Sequence, residues 1–116
     1  MADMIENARG LAKAGRHAEA IEVCGRAMAT QSLSASRQIA LRDLRAESLI
    51  AQGRFADAAS DADAMLALAA KQKSRGLSVL AQMRQAVAAM RLGQVKVALA
   101  AATQAHDLAH KVVTNR

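Results

Sequence analysis

Hydrophobic residues recur along the chain at three- and four-residue intervals, the spacing of amphipathic α-helices. Three of the polar breaks between these runs centre on a glycine, namely Gly15, Gly53 and Gly93. A glycine just beyond the last periodic residue is typical of a helix that ends in the left-handed conformation. The pattern therefore predicts six helices, over residues 3–14, 17–30, 36–52, 55–71, 74–92 and 95–113.

The glycines follow one another at intervals of 38 and 40 residues, and the residues around them repeat. Small residues stand at the same points of each copy, where a larger side chain would push paired helices apart. The residues seven positions before the glycines are Ala8, Ala46 and Ala86, and the residues five positions after them are Ala20, Ala58 and Ala98. A period of this length predicts stacked helical repeats, in which each unit buries its apolar face against its neighbours.

This arrangement resembles the tetratricopeptide (TPR) repeat, with units longer than the usual length of about 34 residues. The resemblance implies an all-α fold, a right-handed α-solenoid of three antiparallel helix pairs. It implies one domain over residues 1–116, with repeats at about 2–33, 36–72 and 74–113. The sequence departs from the family at its aromatic signature positions and at Met65, which replaces a small residue.

In TPR proteins the first helix of each pair lines a concave groove. The resemblance implies that the groove residues here are Ile5, Arg9, Ala12, Asp43, Glu47, Ile50, Met83, Val87 and Met90. For Ile50 and Met90, a place in the core is a serious alternative. Of the positions that grip an acidic chaperone tail in some family members, only Arg84 matches in kind, so the partly apolar groove fits an amphipathic helix or an extended apolar peptide better.

Composition and charge agree with an all-α interaction protein. The chain has no proline and a single aromatic residue, Phe55, and its net charge is +6. Residues 71–116 hold eight lysines and arginines against one acidic residue, Asp107, which favours a partner with acidic flanks. The basic stretch at 71–75 is interpreted as a solvated loop, and nucleic-acid binding is not expected because aromatic stacking platforms are lacking.

No residues converge in a pattern typical of catalysis, and neither an enzyme nor a cofactor is expected. His106 and His110 share a helix face, but a metal site needs more ligands, so no metal is expected either. Cys24 is predicted to be a buried structural residue. Gly10 and Gly25 lie inside predicted helices, where a close approach of neighbouring helices would explain them.

The last predicted helix is apolar over more of its surface than one neighbour can cover, and Leu108 and Val112 are the expected contact residues. Either the chain is a fragment of a longer protein or another copy covers this end. The leading hypothesis is a protein–protein interaction module that binds a peptide, regulatory in a larger bacterial signalling protein. The alternative is a homo-oligomerisation or scaffold element. A cytoplasmic location is expected, because neither a secretory signal nor a membrane span is visible.

Overall fold

The computed structural model describes residues 3–114, with side chains up to residue 111, and this part of the chain is all-α. The alanine-rich, proline-free sequence favours helix throughout. The helices are α1 (Met4–Lys13), α2 (His17–Thr30), α3 (Ala35–Ala51), α4 (Phe55–Lys71), α5 (Arg75–Arg91) and α6 (Val95–Thr114). Each predicted helix is present, with ends within one residue of the prediction.

The first helix of every pair ends at its glycine. Gly15, Gly53 and Gly93 have φ values of 79°, 77° and 76°, in the left-handed region where a Cβ atom is unfavourable. At each end the glycine N–H and the next N–H donate back to carbonyls of the last turn. The end of α4 has the same hydrogen bonds, but Lys73 occupies the glycine position with φ 52°. The sequence predicts a loop here, but the residue type of Lys73 does not indicate its positive φ.

Side chains at the N-termini fix where the first helices begin. Asp3, Ser34 and Ser74 each accept a hydrogen bond from a backbone N–H of the first turn of α1, α3 and α5. The second helices of the first two pairs start differently. Arg16 and Arg54, directly after the glycines, form ion pairs with acidic residues three positions later.

The helices pack as adjacent antiparallel pairs in an open stack. Each helix contacts the next one along the chain, and the first helices also contact one another, α1 with α3 and α3 with α5. Over residues 3–114 the second helices α2, α4 and α6 make no contact with one another, so the first helices lie on the inner side. Neither α1 nor α2 contacts α5 or α6. No helix within these residues is long and apolar enough to cross a membrane.

Alanines fill the contacts between helices, and a few large side chains fill the spaces between pairs. Five of the six recurring alanines, Ala8, Ala20, Ala46, Ala58 and Ala98, are buried as predicted, whereas Ala86 is half-buried. Met65 is fully buried in a cluster with residues of α3, α4 and α5. Because small residues let helix axes approach, the core is thin and depends on contacts between successive pairs.

Polar contacts of buried residues join α3 with α4 and α2 with α3. The carboxylate of Asp61 on α4, only 2% exposed, accepts hydrogen bonds from Arg42 and Arg45 of α3 at 2.6–2.9 Å. His17 Nδ1 lies 3.0 Å from the hydroxyl oxygen of Ser48, which is fully buried. Both contacts satisfy polar groups that would otherwise be costly to remove from water.

Gly10 does not mark a close helix contact, contrary to the interpretation from sequence. A Cβ atom added there would meet no atom within 4 Å. At Gly25 an added Cβ atom would lie at an ordinary 3.6 Å from a guanidinium nitrogen of Arg45. Neither glycine is required by space in the fold, and neither has a positive φ.

Candidate functional site

The first helices of the three pairs enclose a groove of about 420 Å³, which we call the inner groove. It is open to solvent and crosses from α1 over α3 to α5. Four of the nine predicted groove residues line it: Arg9, Ala12, Asp43 and Glu47. The remaining lining residues are Lys13, Ser36, Ile39, Ala40, Leu44, Leu77 and Leu80.

Charged side chains of both signs surround the apolar floor of this groove. Arg84 Nε donates to Asp43 Oδ1 at 2.6 Å, and Arg84 Nη2 lies 3.6 Å from a Glu47 carboxylate oxygen. Burial opposes the charged form of Arg84, but the hydrogen bond and the two carboxylates outweigh it and raise its pKa. Arg84 was the one position that matched a chaperone-tail clamp, and its guanidinium is bonded within the protein.

Five of the predicted groove residues do not line the inner groove, and three of them are Ile5, Ile50 and Met83. Ile5 is buried in the first core cluster, beside Cys24 and Leu41. Ile50 is half-buried against the cluster formed by α3, α4 and α5. Met83 is exposed on α5 and does not line the inner groove.

The other two predicted residues, Val87 and Met90, belong to a second surface between α5 and α6, which we call the C-terminal cleft. It has a volume of about 340 Å³ and is almost entirely apolar. Met90 is 60% exposed and is therefore not a core residue. The cleft is lined by Ala86, Val87, Met90, Val95, Ala98, Leu99 and Ala102.

The exposed apolar surface of α6 lies near its start. Val95, Val97 and Leu99 are exposed, whereas Leu108 is half-buried. The side chain of Val112, the other predicted contact residue, lies outside the described residues. The apolar excess predicted for α6 is thus present, and within the described side chains it is concentrated at the cleft.

The reactive residues singled out from the sequence, Cys24, His106 and His110, lie in different surroundings. Cys24 is fully buried, and burial raises the pKa of its thiol to about 11, so it stays protonated at neutral pH. His106 and His110 lie on the surface beside Asp107 and Lys111. Within the described residues there is no group of three or more residues able to hold a metal ion.

Sequence reasoning missed several inner-groove residues at the N-terminal halves of α3 and α5, including Ser36, Ala40 and Leu77. The prediction used the same distances from the glycine in every repeat. In the structure the groove lies close to the glycine on α1, at Arg9, Ala12 and Lys13, and farther before it on α5, at Leu77 and Leu80. Ser36, Ala40, Asp43 and Glu47 follow a helical spacing, which was the available signal.

Comparison with known proteins gives no match: no family model, no curated protein and no solved structure matches the chain. The function proposed below therefore rests on the residues of the two surfaces.

Proposed function

We propose that the protein is a protein–protein interaction module that binds an extended peptide or a helix in the inner groove. The observation that carries the proposal is a single groove lined by all three first helices. Its floor includes apolar side chains such as Ala12, Ala40 and Leu80, and ionised groups surround the floor. Peptide sites commonly combine apolar contacts with a few charged groups that set orientation.

The charge of the protein indicates the chemistry of the partner. Residues 71–116 carry most of the positive excess, and Arg9 and Lys13 add two cations along the α1 side of the groove. A ligand with acidic residues beside its apolar ones would associate faster with such a surface. Binding should weaken as salt is added, because exposed charges are screened over about 10 Å at 0.1 M salt.

Homo-oligomerisation through the terminal helices is the second candidate function, and the exposed apolar side chain of Val97 on α6, outside the cleft, favours it. A stable dimer, measured by sedimentation equilibrium, would support this alternative. The resemblance of the repeats to TPR sequences supports a regulatory place in a larger bacterial signalling protein, in the cytoplasm.

A peptide library displayed on phage tests the groove directly. Peptides selected on the protein should bind the Arg9→Glu variant at least about tenfold more weakly, since Arg9 is a cation that lines the groove. Arg26→Glu is the matched control, because Arg26 is exposed on α2, outside the groove. Binding that is equally sensitive to both variants, or to neither, would refute the groove as the peptide site.

A further inference from the structure

The C-terminal cleft is the third copy of a surface that the next helix pair partly covers in the other two. Its seven residues lie 40 positions after their counterparts on α3 and α4, which are Ala46, Glu47, Ile50, Phe55, Ala58, Ala59 and Ala62. Three of these counterparts, Ala46, Ala58 and Ala62, are buried. Ala46 and Ala58 form one cluster with Ala88 of α5, so a helix covers this copy.

The first pair shows the same arrangement. Ala8 and Cys24, the counterparts of Ala46 and Ala62, are fully buried. They pack in one cluster with Leu41 and Leu44 of α3. In both copies the cover is thus the first helix of the next pair.

The third copy is open in the described part of the chain. Ala102 is exposed, whereas its counterpart Ala62 is completely buried. Leu99 is 67% exposed and Val95 is 60% exposed. Contiguous apolar surface of this kind is typical of interaction sites, because leaving it in water is unfavourable.

Two exposed basic residues directly follow cleft residues in the sequence, which favours an acidic occupant. Arg91 and Lys96 are exposed next to the cleft residues Met90 and Val95. The only acidic residue in the sequence from 71 to 116 is Asp107. Acidic side chains on the margins of a docked helix would therefore face positive charge and meet little repulsion.

A second copy of the chain fits the cleft poorly. In a head-to-tail stack, α1 of a second copy would cover the cleft. At the positions equivalent to Ala81, Arg84 and Gln85 of α5, this helix carries Asp3, Glu6 and Asn7, which are all exposed. Placing such polar groups on an apolar cleft without partners is unfavourable. In a tail-to-tail pair, two basic surfaces would meet.

We propose that the C-terminal cleft binds an amphipathic α-helix of a partner protein, with acidic residues on its margins. The helix lies on α5 and α6 as α5 lies on α3 and α4. Its small apolar residues face Ala98 and Ala102, and its carboxylates lie near Arg91 and Lys96. This site is separate from the inner groove and does not depend on the function proposed for that groove.

Two peptides based on α5 test the proposal, since α5 is the helix that covers the equivalent surface. Both have the sequence of residues 75–91 with Met83→Gln, Val87→Gln and Met90→Gln, which remove the apolar face that does not dock. The acidic probe also carries Arg75→Glu and Arg91→Glu, and the basic probe keeps these two arginines. Both probes carry Arg84→Gln, because Arg84 of α5 contacts Asp43 and Glu47, whose counterparts in the protein are the apolar Met83 and Val87. In fluorescence anisotropy, the acidic probe should bind at least about tenfold more tightly. This advantage should fall as salt rises from about 50 to about 500 mM.

Variants of the protein locate the binding. Met90→Gln with Leu99→Gln should weaken the acidic probe at least about tenfold, and circular dichroism should show unchanged helix content because both side chains are largely exposed. Val97→Gln is the matched control, since Val97 is exposed on α6 but does not line the cleft. Glu47→Lys should leave probe binding unchanged, which separates this site from the inner groove.

Three results would overturn the proposal. Equal affinity of the acidic and basic probes would exclude charge selection. Binding that survives Met90→Gln with Leu99→Gln would place the probe elsewhere. A dimer that the double variant dissociates, in a protein that binds neither probe, would identify a second copy as the occupant.

Discussion

Ala58 and Ala100 both lie on second helices, but only Ala58 is enclosed. Ala58 is 1% exposed and packs with Ala46, Leu49 and Ala88, whereas Ala100 is exposed. We expect Ala58→Leu to lower the free energy of unfolding by about 1–3 kcal/mol, because the added atoms would force α4 away from its neighbours. Ala100→Leu should change it by less than about 0.5 kcal/mol. Urea denaturation measures both, and equal losses would contradict the assigned contact.

Substitution by alanine should change the free energy of unfolding in opposite directions at Gly10 and at Gly15. Gly10 lies inside α1 with open space around it, so Gly10→Ala should raise the free energy of unfolding by about 0.5–1 kcal/mol. Gly15 has φ 79°, and Gly15→Ala should lower it by about 1–2 kcal/mol. Thermal melts of the two variants should therefore shift in opposite directions, and shifts of the same sign would refute this account.

The link between α3 and α4 depends on Asp61. Asp61→Ala would leave the guanidiniums of Arg42 and Arg45 without their carboxylate, and these side chains are only about a quarter exposed. Removing one partner of a fully buried pair typically costs 3–5 kcal/mol, so we expect a loss of about 2–3 kcal/mol here. Asp57→Ala is the control, since its pair with Arg54 is exposed and should contribute less than about 1 kcal/mol. Denaturant unfolding that shows similar losses would mean that the Asp61 pairs contribute little.

The link between α1 and α3 should depend on pH through Asp3. Its carboxylate accepts hydrogen bonds from the Ile5 N–H and from Arg37 of α3, and these lower its pKa below the ordinary value of 3.8. A lowered pKa in the folded state adds stability above the unfolded value, which is lost as pH falls through the folded value. The stability difference between the wild type and Asp3→Asn should therefore shrink below about pH 4. A difference that is constant from about pH 6 to about pH 3 would contradict this.

Helices and their ends were predictable because their signals are local. A glycine or a capping serine acts within one turn, so Gly53 and Ser34 indicate a helix end and a helix start without knowledge of the rest of the fold. Lys73 shows the limit of such signals. A lysine with positive φ is set by the hydrogen bonds at the end of α4, and the residue type does not reveal it.

The surfaces of the assembled stack were only partly predictable. Arg9, Ala12, Asp43 and Glu47 were assigned to the groove that they line, because helix periodicity places them on one face. The groove lies at a different distance from the glycine on each first helix, which a prediction based on constant repeat spacing cannot show. Asp61 was missed for a related reason, since an aspartate suggests a solvated position until the packing of α3 and α4 brings two arginines to it.

The open stack also has a mechanical consequence. Because α1 and α2 touch neither α5 nor α6, a force applied at the two ends of the chain passes through one inter-pair contact after another. Extension in an optical trap should therefore proceed in steps, each of which releases one helix pair. With 38 to 40 residues between successive glycines, each step should add about 12–14 nm of contour length. Rupture in a single event of about three times that length would mean that the pairs share load as one unit.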